Sequence, residues 1–494
     1  MRLEGHRWCA CALLMLLWCA RAAAQRMVFA HYMLTNQDYQ ADDDPTQEKK
    51  IAAYEREIAQ ARALGIDGFA LNAGGWLKQP YYVRYAAQMF EAAARLNDGF
   101  KLMFSADFCC GNTAADAEDM MRRFANNPRY ARVYFRHDGR FVLTTFAGDK
   151  LGMAGWQQIR EDLASGAHPS TARFANALKS VSGAPSNAPM TIFLVPAFFW
   201  GGETPEPAAV QRGESEWGDA IDGSFYWGIA GVPGSGGTLD VVRSSDVYAR
   251  VLHAAHKLYM APAAVQFWGA NANRYYEYSG GRGMRAMWMG AIESRADWVE
   301  IITWNDFIEG TYVSPIDDPN KYAGANELVQ SGVPAGLRGY FHSHSAAGEL
   351  MSYYIRWYKT GVQPAIKRDA IYWFYRTQPE AVDAGVPSVK NRYGPVKDVI
   401  YVTANLTAAG TLRVESGGRV TTVELSAGSD DAAVPFAVGA APRFTLMRRG
   451  KVVIEAVGKD RIEAAPKYND FYYSTGEAAA FSGDTREHSL RGTR

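Results

Sequence analysis

Cysteine is scarce in this chain of 494 residues, which contains five. Cys9, Cys11 and Cys19 fall in the first 24 residues, so only the adjacent Cys109 and Cys110 belong to the rest of the chain. Neighbouring cysteines can close a strained disulfide ring or stay as two thiols, and both states remain open. No disulfide framework is present, and a chain of this length needs none because it can bury a large core.

Net charge is also lacking, since 52 basic and 52 acidic residues cancel. Without a basic face or a polybasic run, neither nucleic acid nor an anionic membrane is indicated as a partner. The sequence contains no CxxC or HExxH spacing, the usual ligand patterns of zinc sites. The acidic residues 42–44 are better explained as a solvated loop and helix cap than as a calcium site. We therefore expect no metal, no cofactor and a monomer.

Long hydrophobic runs are missing, apart from a short one near the start. Arg2 and Arg7 precede an apolar stretch centred on residues 13–17, and three alanines at 22–24 offer a cleavage site. This arrangement predicts a cleavable signal peptide over residues 1–24. The apolar stretch is about half as long as a bilayer-spanning helix requires. We therefore predict a secreted or periplasmic protein rather than an anchored one.

Strand-like apolar runs alternate with helical patterns from residue 25 to residue 362. One helix is predicted with Asp44 as N-cap and Pro45 at its first position, and Gly65 stops it. Eight strand candidates lie at residues 27–34, 66–72, 101–107, 141–146, 191–195, 223–227, 264–268 and 298–304. Eight such units predict a closed (β/α)8 barrel. The competing doubly wound sheet usually has a glycine-rich turn after its first strand, and residues 31–36 contain no glycine.

Shorter strand patterns follow Gln363-Pro364. They are separated by glycine and polar turns at close intervals, which is typical of a β-sandwich. We predict that residues 363–475 form this second domain. The polar residues 476–494 are expected to be a flexible tail.

The strongest chemical signal is a pair of carboxylates three residues apart, Asp306 and Glu309. They follow the eighth strand candidate, and a (β/α)8 barrel carries its active site at the carboxyl ends of its strands. Hydrolysis of a glycosidic bond needs one protonated and one ionised carboxyl group. In an extended strand the two residues would lie about 10 Å apart on opposite faces. In a helical turn their Cβ atoms would be about 5–6 Å apart, and the sequence leaves this choice open.

Other residues at the predicted strand ends, or near them, are candidates for binding substrate. Aromatic rings stack on sugar rings, and 13 Trp, 27 Tyr and 23 Phe are available, although each ring alone is more often part of a core. Polar candidates could instead be satisfied inside the protein or cap a helix. The candidates are His31, Tyr32, Asn72, Trp76, Asp107, Trp227, Trp268, Tyr275, Trp304 and Asn305.

Several segments, taken in order, resemble glycoside hydrolase family 71, the α-1,3-glucanases or mutanases best known from fungi. They are VFAHYM at 28–33, GIDGFALN at 65–72, FSAD at 104–107, DGSFYW at 222–227, ITWNDFIE at 302–309, YYIRWYK at 353–359 and YWFYR at 372–376. The resemblance implies a barrel plus a β-sandwich and cleavage of α-1,3-linked glucan. It also implies that Asp306 and Glu309 are catalytic and that the reaction inverts configuration.

The sequence departs from this family beside the catalytic pair. Fungal members usually read Asp-Tyr-Gly-Glu-Ser-His where this chain has DFIEGT at 306–311. Glu309-Gly310-Thr311 is more similar to the related family 99, which acts on α-mannosides and has Glu in place of Asp306. The main hypothesis is an endo-acting α-glucanase with Glu309 as acid and Asp306 as base. The alternatives are a hydrolase of another α-glycan, such as α-mannan, and a non-catalytic polysaccharide-binding protein.

Overall fold

The computed structural model describes residues 26–36, 44–166, 188–198, 200, 207–228, 238–269, 274–316, 342–388, 391–393 and 396–480. The predicted signal peptide and acidic residues 42–43 lie outside these ranges, as do residues 481–494. Within the described ranges, no helix is both long and apolar enough to cross a membrane. No group of three His, Cys, Asp or Glu side chains in these ranges is arranged to hold a metal ion.

Eight parallel strands close into a barrel, with one antiparallel hairpin strand at its edge. These nine strands are β1 (Met27–Met33), β2 (Gly68–Gly74), β3 (Lys101–Asp107), β4 (Arg136–His137), β5 (Arg140–Phe146), β6 (Ile192–Ala197), β7 (Gly223–Phe225), β8 (Leu258–Ala263) and β11 (Trp298–Ile301). Strands β9 (Phe267–Gly269) and β10 (Arg274–Tyr276) lie outside the barrel sheet and pair with each other. The barrel order is β1-β2-β3-β5-β6-β7-β8-β11, and β11 pairs back to β1. Strand β4 pairs with β5.

Helices connect the barrel strands. They are α1 (Glu48–Leu64), α2 (Tyr81–Leu96), α3 (Ala114–Met120), α4 (Gly152–Ser165), α5 (Pro207–Trp217), α6 (Thr238–Ala254), α7 (Gly281–Glu293) and α8 (Ser345–Thr360). Short 3-10 segments (Pro128–Tyr130, Gly148–Leu151, Gly218–Ala220) and a π-helix (Met121–Ala125) add to them. The predicted (β/α)8 barrel is confirmed by this alternation of strands and helices around a closed parallel sheet.

Two local sequence predictions are wrong. Helix α1 begins at Glu48, and Asp44 instead accepts hydrogen bonds in the preceding turn, from the backbone N–H groups of Thr46 and Lys49. The seventh barrel strand is β8, not residues 264–268, which contribute only to the short strand β9. Proline has no N–H to donate, so Pro262 inside β8 weakens the sequence signal of that strand.

The side chains of β1 alternate between the inside and the outside of the barrel. Phe29 and His31 point inward, where Phe29 packs against Trp298 of β11 at a ring-centroid distance of 5.8 Å. Tyr32 points outward and packs against Tyr54 of α1 at 6.2 Å. The same alternation directs Glu300 of β11 inward. A hydrogen-bonded pair of polar side chains, His31 and Glu300, is therefore enclosed by the barrel wall.

Two antiparallel sheets form the β-rich C-terminal region, as predicted for a sandwich. Their strands are β12 (Ala370–Arg376), β14 (Val399–Leu406), β15 (Gly410–Ser416), β16 (Arg419–Leu425), β17 (Gly428–Pro435), β18 (Arg443–Arg448), β19 (Lys451–Val457) and β20 (Tyr473–Ala479), while β13 (Asn391–Tyr393) pairs with β10. The sheet orders are β17-β14-β12-β20 and β16-β15-β18-β19. Strand β20 continues four residues beyond the predicted start of the tail, because it completes the first sheet.

An aromatic cluster joins the C-terminal region to the barrel. We call it the junction cluster. Its members are Trp268, Tyr275, Phe307, Tyr312, Tyr468, Phe471 and Tyr472. These residues come from three places: the β9–β10 ribbon, the loop after β11, and the segment before β20. The segment before β20 therefore packs directly against the loop that carries the predicted catalytic pair.

Candidate active site

A compact turn after β11 carries Asp306 and Glu309. The Asp306 backbone N–H donates to the Thr303 hydroxyl at 2.8 Å, and the Glu309 N–H donates to Asp306 Oδ1 at 3.2 Å. Thr303 in turn pairs with Thr311 across the base of the loop. The chain therefore bends between the two carboxylates, as the hydrolytic hypothesis requires. Local hydrogen bonding of Asp306 to its own turn drives this bend.

The Asp306 carboxylate is buried at the mouth of the barrel, with 7% of its surface exposed. Burial raises its pKa to about 6, against the lowering effect of backbone hydrogen bonds from Glu309 and Ile308 and of the His31 charge. Desolvation disfavours the charged form of a carboxyl group, whereas donors and positive charge favour it. Asp306 is thus ionised near neutral pH but close to its titration range.

Glu309 lies in the same turn and is partly exposed. Desolvation raises its pKa to about 8, and the negative charges of Asp306 and Asp107 add to the rise, whereas Arg274 opposes it. Two nearby carboxylates resist double ionisation, so the pair holds one proton over the neutral range. The proton is favoured on Glu309. This difference between two neighbouring carboxyl groups is typical of an acid and a base in one site.

His31 forms the floor of the site. Its Nδ1 lies 2.7 Å from Glu300 Oε1, and neither side chain is more than about 1% exposed. The partly buried Trp227 ring meets the imidazole edge-on at 4.6 Å. Of the predicted aromatic platforms, Trp227 is the one whose ring stays partly exposed at the barrel mouth.

Asp107 and Asn72 lie together on one side of the site. The Asn72 amide donates to Asp107 Oδ2 at 3.3 Å, while Asp107 Oδ1 accepts the backbone N–H groups of Cys109 and Cys110. The two cysteines are exposed and free. The Asp107 charge acts on Glu309, so the structure brings Asp107 and Asn72 to the same end of the barrel as the predicted catalytic pair.

Five predicted aromatic contacts with substrate are instead buried packing. Tyr32, Trp76, Trp268, Tyr275 and Trp304 have no exposed surface. Tyr32 packs against Tyr54 of α1, and the indole N–H groups of Trp76 and Trp304 donate to Asp119 and Glu57 outside the barrel wall. Trp268 and Tyr275 belong to the junction cluster. A sugar ring cannot stack on a face that is already covered.

Asn305 also has a structural role rather than the predicted contact with substrate. Its side-chain amide accepts the Met33 N–H at 2.8 Å and donates to the carbonyls of Met33 and Asn36. Both the oxygen and the NH2 group of the Asn305 amide are engaged in these bonds, which connect the loop after β11 to the loop after β1. Asn305 therefore holds Asp306 in place without reaching the cleft.

Sequence reasoning missed three residues that influence the pair. Glu300 supports His31, Arg274 acts on Glu309, and Tyr472 donates a short hydrogen bond to the Phe307 carbonyl. The sequence could have indicated Glu300, because it is a charged residue within an apolar strand. Side chains alternate along a strand, so Glu300 points to the same inner face as Trp298. Arg274 and Tyr472 are distant in sequence from the pair, and only the fold brings them near.

His342 and His344 support the same loop from the sandwich side. His342 pairs with Asp460 at 3.1 Å and Asp470 at 2.7 Å, while its carbonyl accepts the Tyr312 hydroxyl. His344 stacks on Tyr312 at 4.1 Å and bonds to its carbonyl. Both histidines are therefore structural.

A cavity of about 670 Å³ opens at the opposite end of the barrel, near the starts of β5, β8 and β11. Several of its charged residues form ion pairs with one another: Arg140 with Asp222 at 2.5 Å, and His253 with Asp297 at 3.0 Å. Barrel enzymes carry chemistry at the other end. We therefore assign no active site to this cavity.

At the carboxyl-terminal mouth of the barrel, Asp306 and Glu309 form a pair of carboxyl groups with different pKa values, an arrangement typical of the glycoside hydrolase class. The comparison with known families agrees with this class. The sequence profile of glycosyl hydrolase family 71 matches residues 24–486, nearly the whole chain. The chain belongs to that family and is a glycoside hydrolase.

Curated relatives have similar lengths. The glucan endo-1,3-alpha-glucosidase agn1 of Schizosaccharomyces pombe is 27% identical, over 90% of this chain and 93% of that protein. A mutanase of Penicillium rubens is 25% identical, over 88% of this chain and 84% of that protein. A solved family-99 endo-alpha-mannosidase from Bacteroides thetaiotaomicron superposes with a TM-score of 0.46 at 11% identity, covering 67% of this chain and 97% of that one.

Proposed function

We propose that this protein hydrolyses α-1,3-glucosidic linkages inside an α-glucan chain, with inversion at the anomeric carbon. The observation that carries the proposal is the Asp306–Glu309 turn, in which one carboxyl group has a pKa near 8 and its neighbour a pKa near 6. The name of the Schizosaccharomyces pombe relative, glucan endo-1,3-alpha-glucosidase agn1, supports the linkage and the endo mode. We further propose secretion or periplasmic export through residues 1–24, with the protein acting as a monomer.

The two carboxyl groups take different roles in this proposal. Glu309, protonated at neutral pH, gives its proton to the glycosidic oxygen as the bond to the anomeric carbon breaks. Asp306, ionised, takes a proton from a water molecule that attacks the anomeric carbon from the opposite face. The sugar leaves with inverted configuration. After product release, Asp306 loses its proton to solvent and Glu309 regains one.

An α-mannan is the second candidate substrate. The observation that favours it is the Glu309-Gly310-Thr311 segment, which is more similar to family 99 than to fungal family-71 sequences. Gly310 has a positive φ of 64°, and a Cβ there would lie 2.8 Å from both Gln266 and Tyr472. A larger residue at this position would therefore require this loop to pack differently. This difference lies beside the acid and can alter the sugar that fits.

The substrate test is hydrolysis of purified α-1,3-glucan, mixed α-1,3/1,6-glucan and α-mannan, followed by proton NMR of the first sugar released. We expect shortened oligosaccharides from α-1,3-glucan, with the β-anomer appearing first. An α-anomer appearing first would contradict inversion. Hydrolysis of mannan alone would select the second candidate. Binding to a glucan without hydrolysis of any substrate would indicate the non-catalytic alternative.

The activity of the enzyme should follow a bell-shaped pH profile. Below about pH 6 Asp306 becomes protonated and can no longer act as base. Above about pH 8 Glu309 loses the proton that it must donate. Because kcat/KM reports groups of the free enzyme, its maximum is expected near neutrality, with one limb on each side. Initial rates at low substrate concentration from pH 4 to 10 check this; a profile that is flat from about pH 5 to 9 would contradict the assignment.

A further inference from the structure

The loop after β3 carries two adjacent thiols at the mouth of the barrel. Cys109 and Cys110 follow Asp107, the last residue of β3, and both are exposed and free. Asp107 Oδ1 accepts the backbone N–H groups of both cysteines, at 2.8 Å from Cys109 and 3.2 Å from Cys110. The thiols therefore lie beside a carboxylate of the candidate active site, where a dissolved reagent reaches them. The proposed hydrolysis uses neither sulfur.

The two sulfurs have different surroundings. Lys150, in the 3-10 segment after β5, places its Nζ 3.1 Å from Cys109 Sγ. Cys110 instead packs against the end of β2, where a Cβ atom added to Gly74 would overlap Cys110 Cβ and lie 3.3 Å from Cys110 Sγ. Partial desolvation and the negative charge of Asp107 raise the pKa of Cys110 to about 12. The thiolate is the nucleophilic form of cysteine, and a neighbouring ammonium stabilises it. Cys109 is therefore placed to attack first, while Cys110 stays protonated.

A disulfide between neighbouring residues constrains the peptide that joins them. Cα atoms across a trans peptide are about 3.8 Å apart, whereas disulfides usually join Cα atoms about 4.4–6.8 Å apart. A disulfide between Cys109 and Cys110 therefore closes only if their peptide rotates or the backbone around it bends. A strained and exposed disulfide is easily reduced again, which is typical of reversible sites rather than of structural cross-links.

We propose that Cys109, Cys110 and Lys150 form a reversible thiol–disulfide exchange site that reacts with small-molecule disulfides. The Cys109 thiolate, beside the Lys150 ammonium, attacks one sulfur of the reagent. The S–S bond of the reagent breaks, and its other half leaves as a thiolate that takes up a proton. Cys110 then loses its proton to water and attacks Cys109 Sγ, which releases the first half of the reagent as a second thiol. Two protein thiols are thereby oxidised to one disulfide, and one reagent disulfide is reduced to two thiols.

Closing this ring also changes the hydrogen bonds of Asp107. The peptide that must move carries the Cys110 N–H, one of the two backbone donors to Asp107 Oδ1. Asp107 then keeps the Cys109 N–H on Oδ1 and the Asn72 amide on Oδ2. Asp107 and Asn72 are candidates for binding substrate. We therefore expect the disulfide form to bind α-glucan more weakly than the dithiol form does.

The test of the exchange chemistry uses hydroxyethyl disulfide, whose neutrality keeps its own charge from favouring either sulfur. Mass spectrometry of the tryptic peptide of residues 102–122 separates these two cysteines from Cys9, Cys11 and Cys19. We expect a mixed disulfide first and then, more slowly, an internal disulfide that lacks two hydrogen atoms. Cys110→Ser should stop at the mixed disulfide, and Cys109→Ser should react at least about tenfold more slowly than Cys110→Ser. Equal rates for these two variants would overturn the proposal, and so would a final mixed disulfide in the unaltered protein.

Lys150→Met tests the role of the ammonium group. The first step is expected to slow by about threefold or more, because a lost thiolate fraction is only partly offset by higher nucleophilicity. Lys451→Met removes an exposed lysine at the start of β19 and is the matched control, which should react like the unaltered protein. In urea, where the surroundings of the sulfurs are lost, all three proteins should react at one rate. If Lys150→Met reacted like the control in the folded state, Lys150 would have no part in the site.

The link to Asp107 is measured as KM for α-1,3-glucan in the two redox states. Losing one hydrogen bond should raise KM by about two- to tenfold in the disulfide form. Dithiothreitol should reverse the change, and Cys109→Ser should show none. An equal KM in both states would overturn this link. The exchange site itself goes beyond the proposed function: if the protein hydrolysed no α-glycan, the proposed function would fail, and the peptide masses would still decide the exchange.

Discussion

Replacing Glu309 by Gln is expected to lower kcat on α-1,3-glucan by about 10²- to 10⁴-fold, because the leaving oxygen loses its proton donor. The side chain keeps its size, so the fold and substrate binding should persist. A glucoside with an acidic aryl leaving group needs little protonation. We therefore expect the defect to be much smaller on that substrate, and parallel kcat measurements on the two substrates check this.

Asp306→Asn should cause a loss of the same size but on both substrates, because water must be activated whatever the leaving group. This difference between the two variants identifies the acid and the base. Glu455→Gln, an exposed change on β19, is the matched control and should keep full activity. Full activity of both catalytic variants on every α-glucan tested would show that the site lies elsewhere.

The second large effect is expected from Phe471→Ala in the junction cluster. Phe471 is fully buried, and its ring lies 5.1 Å from Tyr275 and 5.9 Å from Trp268. Removing it leaves a cavity between the β9–β10 ribbon and the segment before β20. Truncations of this kind cost about 3–5 kcal/mol of unfolding free energy. Urea unfolding, followed by tryptophan fluorescence, measures the loss.

Val452→Ala is the control for that truncation, since 59% of the Val452 surface is exposed. Exposed substitutions usually change stability by less than about 0.5 kcal/mol. Phe471→Ala should also reduce kcat, because Tyr472, next in sequence, donates to the Phe307 carbonyl inside the turn that carries Asp306 and Glu309. If Phe471→Ala were as stable as Val452→Ala, the junction cluster would not join the two regions energetically.

Much of the fold could be predicted because its signals are local. Alternating apolar runs marked seven of the eight barrel strands, and Thr113 with Asp116 forms the capping box that starts α3. The seventh barrel strand was misplaced, since Pro262 interrupts the pattern. The start of α1 was also misplaced, because Asp44 and Pro45 form a separate turn before the helix. Strand β20 was missed because its sequence, YSTGEAA, is polar and pairs only within the assembled sheet.

The residues of the candidate site likewise fall into those that local sequence predicts and those that only the folded chain reveals. Asp306 and Glu309 could be predicted as candidates because they lie three residues apart, directly after an apolar strand. Their turn forms through local hydrogen bonds. Trp76 and Trp304 were indistinguishable in sequence from Trp227, yet helices cover the first two and the third faces the mouth. Exposure depends on which element packs over a ring, and no local pattern contains that information.

The sequence by itself therefore determined the barrel, the sandwich and the close spacing of the two candidate carboxylates after the last barrel strand. Their signals are the strand and helix periods and short-range hydrogen bonds, which act over a few residues. The tertiary structure decided the difference in pKa between Asp306 and Glu309, because it depends on burial and on charges from other strands: His31, Asp107 and Arg274. It also decided which aromatic rings remain open to a sugar. Desolvation and Coulomb interactions act through space, so only the folded chain specifies them.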